Sequence, residues 1–258
     1  ITTTDLAIGP GGMIYTWGSK GWSGPVLRYT RDFKPAPLES TGKNSFGALR
    51  LGGRLGRGAS VPGIDVDLQG RVYISHGVNA ACVQVLDAEG KLVEFERRTI
   101  HFSRKPLPAP GIPVMIAEMQ DMSGSIRVDT SGNLYVLQLG QPEGHVPPKG
   151  FEKENSYLKA TGTIHKFGPK GGSFGGRKSK YMIKPVEGVL RSYGTPCGTV
   201  SGAWGSGGSV CHCAKPRFDV DGYGRLYIPN TFTYKVSVVD NADNPIVSFG
   251  GYGNWDAQ

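Results

Sequence analysis

Residues 218 to 254 read FDVDGYGRLYIPNTFTYKVSVVDNADNPIVSFGGYGN, from Phe218 to Asn254. Apolar and polar residues alternate over Phe218-Asp219-Val220-Asp221, and Gly222-Tyr223-Gly224 supplies a turn. Leu226-Tyr227-Ile228 and Val236 to Val239 are short apolar runs, and Ile246-Val247-Ser248-Phe249 closes the stretch before Gly250-Gly251. Period-two alternation broken by turn residues every few positions predicts four short antiparallel strands, and no helix fits that punctuation.

The same unit recurs upstream when the chain is aligned on the hairpin glycine. Leu6-Ala7-Ile8 to Gly12-Met13-Ile14-Tyr15 is the first copy, Ile64-Asp65-Val66-Asp67-Leu68-Gln69-Gly70-Arg71-Val72-Tyr73 the second, and Ile126-Arg127-Val128-Asp129-Thr130-Ser131-Gly132-Asn133-Leu134-Tyr135 the third. In all four copies a Tyr falls three residues after the Gly. Phe95 follows Gly70, and Phe249 follows Gly224, by 25 positions. Asp67, Asp129 and Asp221 stand immediately before the turns, where a short carboxylate accepts turn amide hydrogens. Asp219-x-Asp221-Gly222 also invites a calcium reading, but it lacks the spaced third oxygen ligand and the distal Glu of a calcium loop.

An apolar-Asp strand, a Gly hairpin, an apolar-Tyr-apolar strand, a third strand ending near Asp and a closing Phe-Gly resemble the NHL repeat. The resemblance implies an all-β chain, a β-propeller of four NHL-like four-stranded blades, at about 5–40, 64–98, 126–194 and 218–254. The glycine spacings of 58, 62 and 92 exceed the roughly 40–50 residues of common propeller repeats, so loops are inserted. In the third unit the insertions are 142–158 and 170–187, which delay its third strand to Gly162–Gly168 and its closing strand to Val189–Gly194. NHL propellers usually carry six blades, so these four are expected to be part of a larger ring. The exposed faces of its end blades would then be covered by the remainder of a longer polypeptide or by another protein chain.

Composition agrees with many short strands joined by tight turns: the 258 residues include 40 Gly and 18 Pro. No apolar run approaches the ~18 residues of a membrane helix, so no membrane span is expected. The opening Ile1-Thr2-Thr3-Thr4-Asp5 has neither an initiator Met nor a signal-peptide core, which suggests a processed chain or a piece of one, with an extracellular or periplasmic location expected.

The formal charge of +8 is uneven. Asn155 to Val186 holds seven basic residues and no acid: Lys159, Lys166, Lys170, Arg177, Lys178, Lys180 and Lys184. Lys170, Arg177, Lys178, Lys180 and Lys184 form the candidate binding segment, because propeller connections gather on the rims and a basic rim attracts an acidic polymer or RNA. A merely solvated rim is the competing reading, since only Phe167, Phe174 and Tyr181 could stack on bases there.

Cys82 reads as a small buried hydrophobe. Cys197, Cys211 and Cys213, with His212 between the last two, fall within a Gly/Ser-rich loop. They fit a disulfide stapling that loop, a soft-metal site needing a fourth ligand, or plain thiols. Covalent haem is not expected, because no Cys-x-x-Cys-His occurs. No cofactor is otherwise implied. His76, Asn79 and Asn230 follow second strands, where related propellers such as sugar-lactone hydrolases and amidating lyases bind a metal at the channel. Trp17-Gly18 and Gln138-Leu139 supply no matching ligand in the other two units. No convergent catalytic set stands out. The expected function is therefore a binding or scaffold module, for protein or ligand, in a larger exported protein or assembly. Nucleic-acid binding on the basic rim and metal-dependent lyase or hydrolase chemistry at the channel are the alternatives.

Overall fold

The computed structural model describes residues 3–18, 25–46, 63–76, 81–93, 95, 98–102, 105–109, 114–116, 125–139, 141–142, 144–153, 157, 161–174, 185–198, 203–204, 209–210 and 217–253. The first antiparallel sheet holds β1 (Thr3–Ile8), β2 (Ile14–Gly18) and β3 (Val26–Tyr29), and a short 3-10 turn at Pro10–Gly12 separates its first two strands. The second sheet runs β4 (Ile64–Val66), β5 (Val72–His76) and β6 (Ala81–Leu86). A separate hairpin follows, β7 (Arg98–Phe102) with β8 (Lys105–Ala109), and then β9 (Val114–Ile116) returns to pair with β6. The third unit is β10 (Ile126–Val128), β11 (Leu134–Leu139) and β12 (Thr161–Phe167). Its insertion supplies β13 (Gly172–Phe174) and β14 (Pro185–Glu187), after which β15 (Val189–Ser192) pairs with β12. Three short pieces, β16 (Cys197–Gly198), β17 (Ala203–Trp204) and β18 (Ser209–Val210), precede the last unit. That unit is β19 (Asp219–Val220), β20 (Leu226–Asn230), β21 (Lys235–Val239) and β22 (Pro245–Phe249), a complete antiparallel meander.

These meanders are the blades of a β-propeller. Their first strands neighbour one another in chain order, β1 beside β4, β4 beside β10, and β10 beside β19. In the second, third and fourth blades the hairpin between the first two strands is built by its aspartate. Asp67 Oδ1 accepts the amides of Gln69 and Arg71, both at 2.9 Å, while Oδ2 accepts Arg71 Nε at 2.6 Å and the Tyr73 hydroxyl at 3.0 Å. Asp129 and Asp221 repeat the pattern with Ser131, Asn133 and Tyr135, and with Tyr223, Arg225 and Tyr227. The turn closes through a residue in the left-handed region, which is why Gly70, Gly132 and Gly224 stand there, with φ of 76°, 78° and 77°. The Tyr three residues later is placed to reach back to the carboxylate.

The blades pack by one repeated rule. Side chains of directly paired residues share a sheet face. In each interface the Tyr-bearing face of one blade covers the opposite face of the next. Ala7, Tyr15 and Val26 pack on Ile64, Val66, Val72 and Ile74. Tyr73, Val83 and Val85 pack on Ile126, Leu134, Val136 and Phe167. Tyr135, Leu137 and Ile164 pack on Phe218, Leu226, Ile228 and Val239.

The outer strand of the second blade departs from the simple repeat. Its expected closing segment near Phe95 pairs with only the end of β6, through the Leu86–Leu92 bridge and Val93 N–H to Val85 O at 2.9 Å. The start of β6 is paired instead by β9, and β13 from the third blade's insertion adds to β9 in parallel. The two ends of the basic insertion are thus held at the outer edge of blade two. Among the described residues no helix is long and apolar enough to cross a membrane.

Candidate functional site

The first strands bring together a set of charges at the propeller axis. Aligned on the hairpin glycine, Asp65, Arg127 and Asp219 occupy one position of the unit, two residues before the turn aspartate, and Asp5 and Arg217 stand one strand period earlier in their own units. In each of the three carboxylates one oxygen, Oδ1, accepts the amide of the following residue: Leu6 at 3.0 Å, Val66 at 2.9 Å and Val220 at 3.0 Å. That leaves Oδ2 of the first two aspartates for a neighbouring blade. Asp5 Oδ2 accepts Ile64 N–H of blade two at 3.0 Å, and Asp65 Oδ2 accepts Val128 N–H of blade three at 2.7 Å. Two ion pairs continue the chain of contacts. Arg127 Nε meets Asp219 Oδ1 at 2.9 Å, joining blades three and four, and an Arg217 guanidinium nitrogen meets Asp5 Oδ2 at 2.7 Å, joining blade four to blade one.

Burial and neighbouring charge set the ionisation of this group. Asp65 is pushed up to about 6 by burial, against the pull of Arg127 and of the Val128 and Val66 amides. Burial lowers Arg127, but Asp65, Asp219 and Asp5 outweigh it and hold the guanidinium above its ordinary value. Arg217 is drawn below its ordinary value by burial and by Arg127, with Asp5 opposing. Chemically the arrangement is a set of staples: the charges are largely spent on one another and on backbone amides of adjacent blades.

A second cluster lies where the insertion after β11 meets the turn after β20. Tyr157 is buried, with ring centroids 4.9 Å from Phe232 and 5.6 Å from Phe151, and its hydroxyl lies 2.7 Å from His145 Nε2. Asn230 is buried beneath it, bonded to the Tyr157 hydroxyl and accepting the Phe232 amide at 3.1 Å. The position expected to face a ligand in the fourth blade therefore anchors the insertion. Burial holds His145 below its ordinary value.

The residues singled out in the sequence are placed as follows. Lys170 is exposed in the turn between β12 and β13, while Arg177, Lys178, Lys180 and Lys184 lie outside the described residues. Cys197 is a buried free thiol in β16 whose Sγ donates to the Arg217 carbonyl at 3.7 Å. Cys211, His212 and Cys213 lie outside the described residues, as does Asn79. His76 ends β5, opposite Cys82. Of the calcium reading, Asp221 is occupied by its turn and Asp219 by Arg127. Among the described residues no group of three or more His, Cys, Asp or Glu is placed to hold a metal ion. Of the axial charges only Asp219 was weighed in the sequence, in the calcium reading, although the shared unit position of Asp65, Arg127 and Asp219 was there to be read.

No protein-family model matches the chain, and no curated protein matches it in sequence. Among solved structures, the fold is similar to a protein of unknown function from Bacteroides caccae, with a TM-score of 0.51 and 8% identity over 96% of this chain and 60% of that one. A streptogramin B lyase and the Dos1 propeller give a TM-score of 0.45 each, at 12% and 11% identity. They match over 98% and 97% of this chain, which spans 56% and 48% of their lengths.

Proposed function

We propose that the chain is a non-catalytic binding or scaffold module, an NHL-like propeller segment working in a larger exported protein or assembly. One observation carries this reading: the axial carboxylates, which a channel enzyme would offer to a metal or substrate, are engaged with the amides and guanidiniums of adjacent blades. Charge spent in this way stabilises the blade stack and leaves its faces and rims for recognition. Elemental analysis of the purified chain, paired with melting curves in chelator, tests it. The expected result is no stoichiometric metal and an unchanged melting temperature. A bound metal whose removal lowers that temperature overturns it in favour of metal-dependent chemistry.

A second reading, recognition of RNA by the basic insertion, is favoured by the charge of 170–184 and by the anchoring of both its ends beside blade two through β13 and β14. Its test is anisotropy with a single-stranded oligouridine at two salt concentrations. A phosphate-driven contact weakens steeply with salt, and it is lost when Arg177, Lys178 and Lys180 are replaced by Ser.

A further inference from the structure

We propose that Lys166 and Asn241 join in an intramolecular amide cross-link, a covalent staple between blades three and four. Lys166 is a buried nucleophile on β12 that the binding reading does not use. Its Nζ donates to Asn241 Oδ1 at 2.7 Å, across 75 positions of the chain, from the third strand of blade three to the turn between β21 and β22. Asp129 Oδ2 lies 3.5 Å from the same nitrogen, and the Lys166 and Asp129 side chains are only 9% and 11% exposed. Residue 241 is itself exposed, but its amide oxygen is turned inward, with the Tyr193 and Tyr135 hydroxyls at 3.4 and 3.5 Å. An amine, a carboxamide, a carboxylate beside the amine and two phenols beside the carbonyl oxygen thus meet at one point. The other blades lack this set. Arg28, which pairs with Tyr15 as Lys166 pairs with Tyr135, reaches the Ala88 backbone carbonyl instead, and the corresponding residues of blades two and four are Val85 and Val238.

The reaction balances without a co-reactant. Asp129 takes a proton from the Lys166 ammonium, and the freed amine attacks Asn241 Cγ, which forms the new N–C bond and leaves an oxyanion on Oδ1. Holding the two groups in contact replaces a chance encounter by an intramolecular step. Tyr193 and Tyr135 donate to the oxyanion, their contacts shortening as charge develops. Burial keeps both phenols protonated for this: it pushes Tyr193 up to about 12 and raises Tyr135. Collapse breaks the Cγ–Nδ2 bond. The departing nitrogen takes the proton held by Asp129 and one from the attacking nitrogen, and it leaves as ammonium through the exposed turn. Nothing is oxidised or reduced, and Asp129 ends as the carboxylate it began as. Burial works to raise Asp129, but its hydrogen bonds from Asn133 and the Lys166 charge hold it below the usual range. It is therefore a weak base, so the bond forms slowly and faster as pH rises.

Intact-mass spectrometry of the purified 258-residue chain, before and after incubation at pH 7.5 and pH 9, tests this. The expected result is a mass short of the sequence by one ammonia, with a branched peptide joining Lys166 to Asn241 in tandem spectra. Lys166→Gln and Asn241→Ala keep their full sequence mass. Asp129→Asn slows the loss at least about tenfold, with circular dichroism confirming its fold. Tyr193→Phe removes a donor to the oxyanion, slows the loss as well, and serves in place of the Asp129 variant if that chain does not fold. The linked chain also runs faster than Lys166→Gln in a denaturing gel, because the loop between the two residues stays closed. A wild-type chain that keeps its full mass at both pH values overturns the proposal. Ammonia loss that survives Lys166→Gln overturns it too, and so does loss at the wild-type rate in both Asp129→Asn and Tyr193→Phe. None of these outcomes bears on the metal or oligouridine measurements, so the binding reading fails separately.

Discussion

The Tyr73 hydroxyl lies 3.0 Å from Asp67 Oδ2, and the same six-residue reach joins Tyr135 to Asp129 at 3.2 Å and Tyr227 to Asp221 at 3.3 Å. In these three hairpins a carboxylate that closes the turn and receives a phenol from the next strand ties the turn and the strand into one polar unit, and at Asp67 that unit is buried. Replacing Asp67 by Ala leaves two turn amides and the Tyr73 hydroxyl without their acceptor and is expected to cost about 3 kcal/mol. Tyr73→Phe removes one hydrogen bond from the same unit and costs about 1 kcal/mol. Urea denaturation of both variants measures the difference, and equal losses would mean that the hydroxyl, not the turn, dominates.

Asp65 gives the axis a pH dependence of unusual sign. Its carboxyl is pushed up to about 6, chiefly by burial, against an ordinary value of 3.8, so the folded chain holds that proton more tightly than the unfolded one. The resulting stabilisation is complete below about pH 4 and is lost as pH rises through about 6, a change on the order of 2–3 kcal/mol. Asp129 moves oppositely: burial works against its shift, but its hydrogen bonds and Lys166 hold it below the usual range, so its stabilisation is lost as pH falls. Comparing the chain with Asp65→Asn from pH 4 to 7.5 cancels that background. The stability of the native chain relative to the variant should fall as pH rises, and a constant difference would show that Asp65 does not titrate in this window.

The Cys197 thiol should be inert in the folded state. Burial pushes it up to about 12, which suppresses the thiolate that alkylating reagents attack. Iodoacetamide at pH 8 is expected to leave the Cys197 peptide unmodified in the native chain and to modify it in urea, as read by mass spectrometry. Fast native labelling would place the thiol at the surface.

What could be read from the sequence was what the fold keeps local. The hairpin glycine, the Tyr three residues after it and the turn aspartate all lie within a span of seven residues, so their spacing survives insertions elsewhere. The axial contacts are not local. Asp5 meets Ile64 and Arg217 across 59 and 212 positions, and no periodicity encodes such a partner. Their residue types were nonetheless visible, as charges at the first-strand position where an apolar residue would serve a purely hydrophobic sheet. The outer strand of blade two was illegible for a different reason: β9 and β13 pair there from outside the repeat, and edge pairing carries no phase signal.

Blade one departs from the repeat at Gly9, and restoring the repeat should do harm. Counting back from the hairpin glycine, Gly9 occupies the place of Asp67, Asp129 and Asp221. A consensus argument would therefore replace it with Asp to gain the turn hydrogen bonds that the other blades enjoy. The surroundings forbid this. A Cβ at residue 9 would lie 2.8 Å from Tyr15 Cε2 and 2.8 Å from Val66 Cγ1, and both belong to the apolar cluster that joins blades one and two. The backbone is not the obstacle, since φ at Gly9 is −101°, which any residue adopts. The conflict is one of volume: the Tyr15 ring fills the space that a carboxylate would need, and in a close-packed interface one added atom displaces its neighbours. Gly9→Ala is expected to destabilise by about 1–3 kcal/mol. Gly9→Asp should lose at least as much, because it adds a charge beside an apolar contact. Urea denaturation of both variants checks the order, and a stabilised Gly9→Asp chain would mean that the first blade can adopt the same carboxylate turn as the other three.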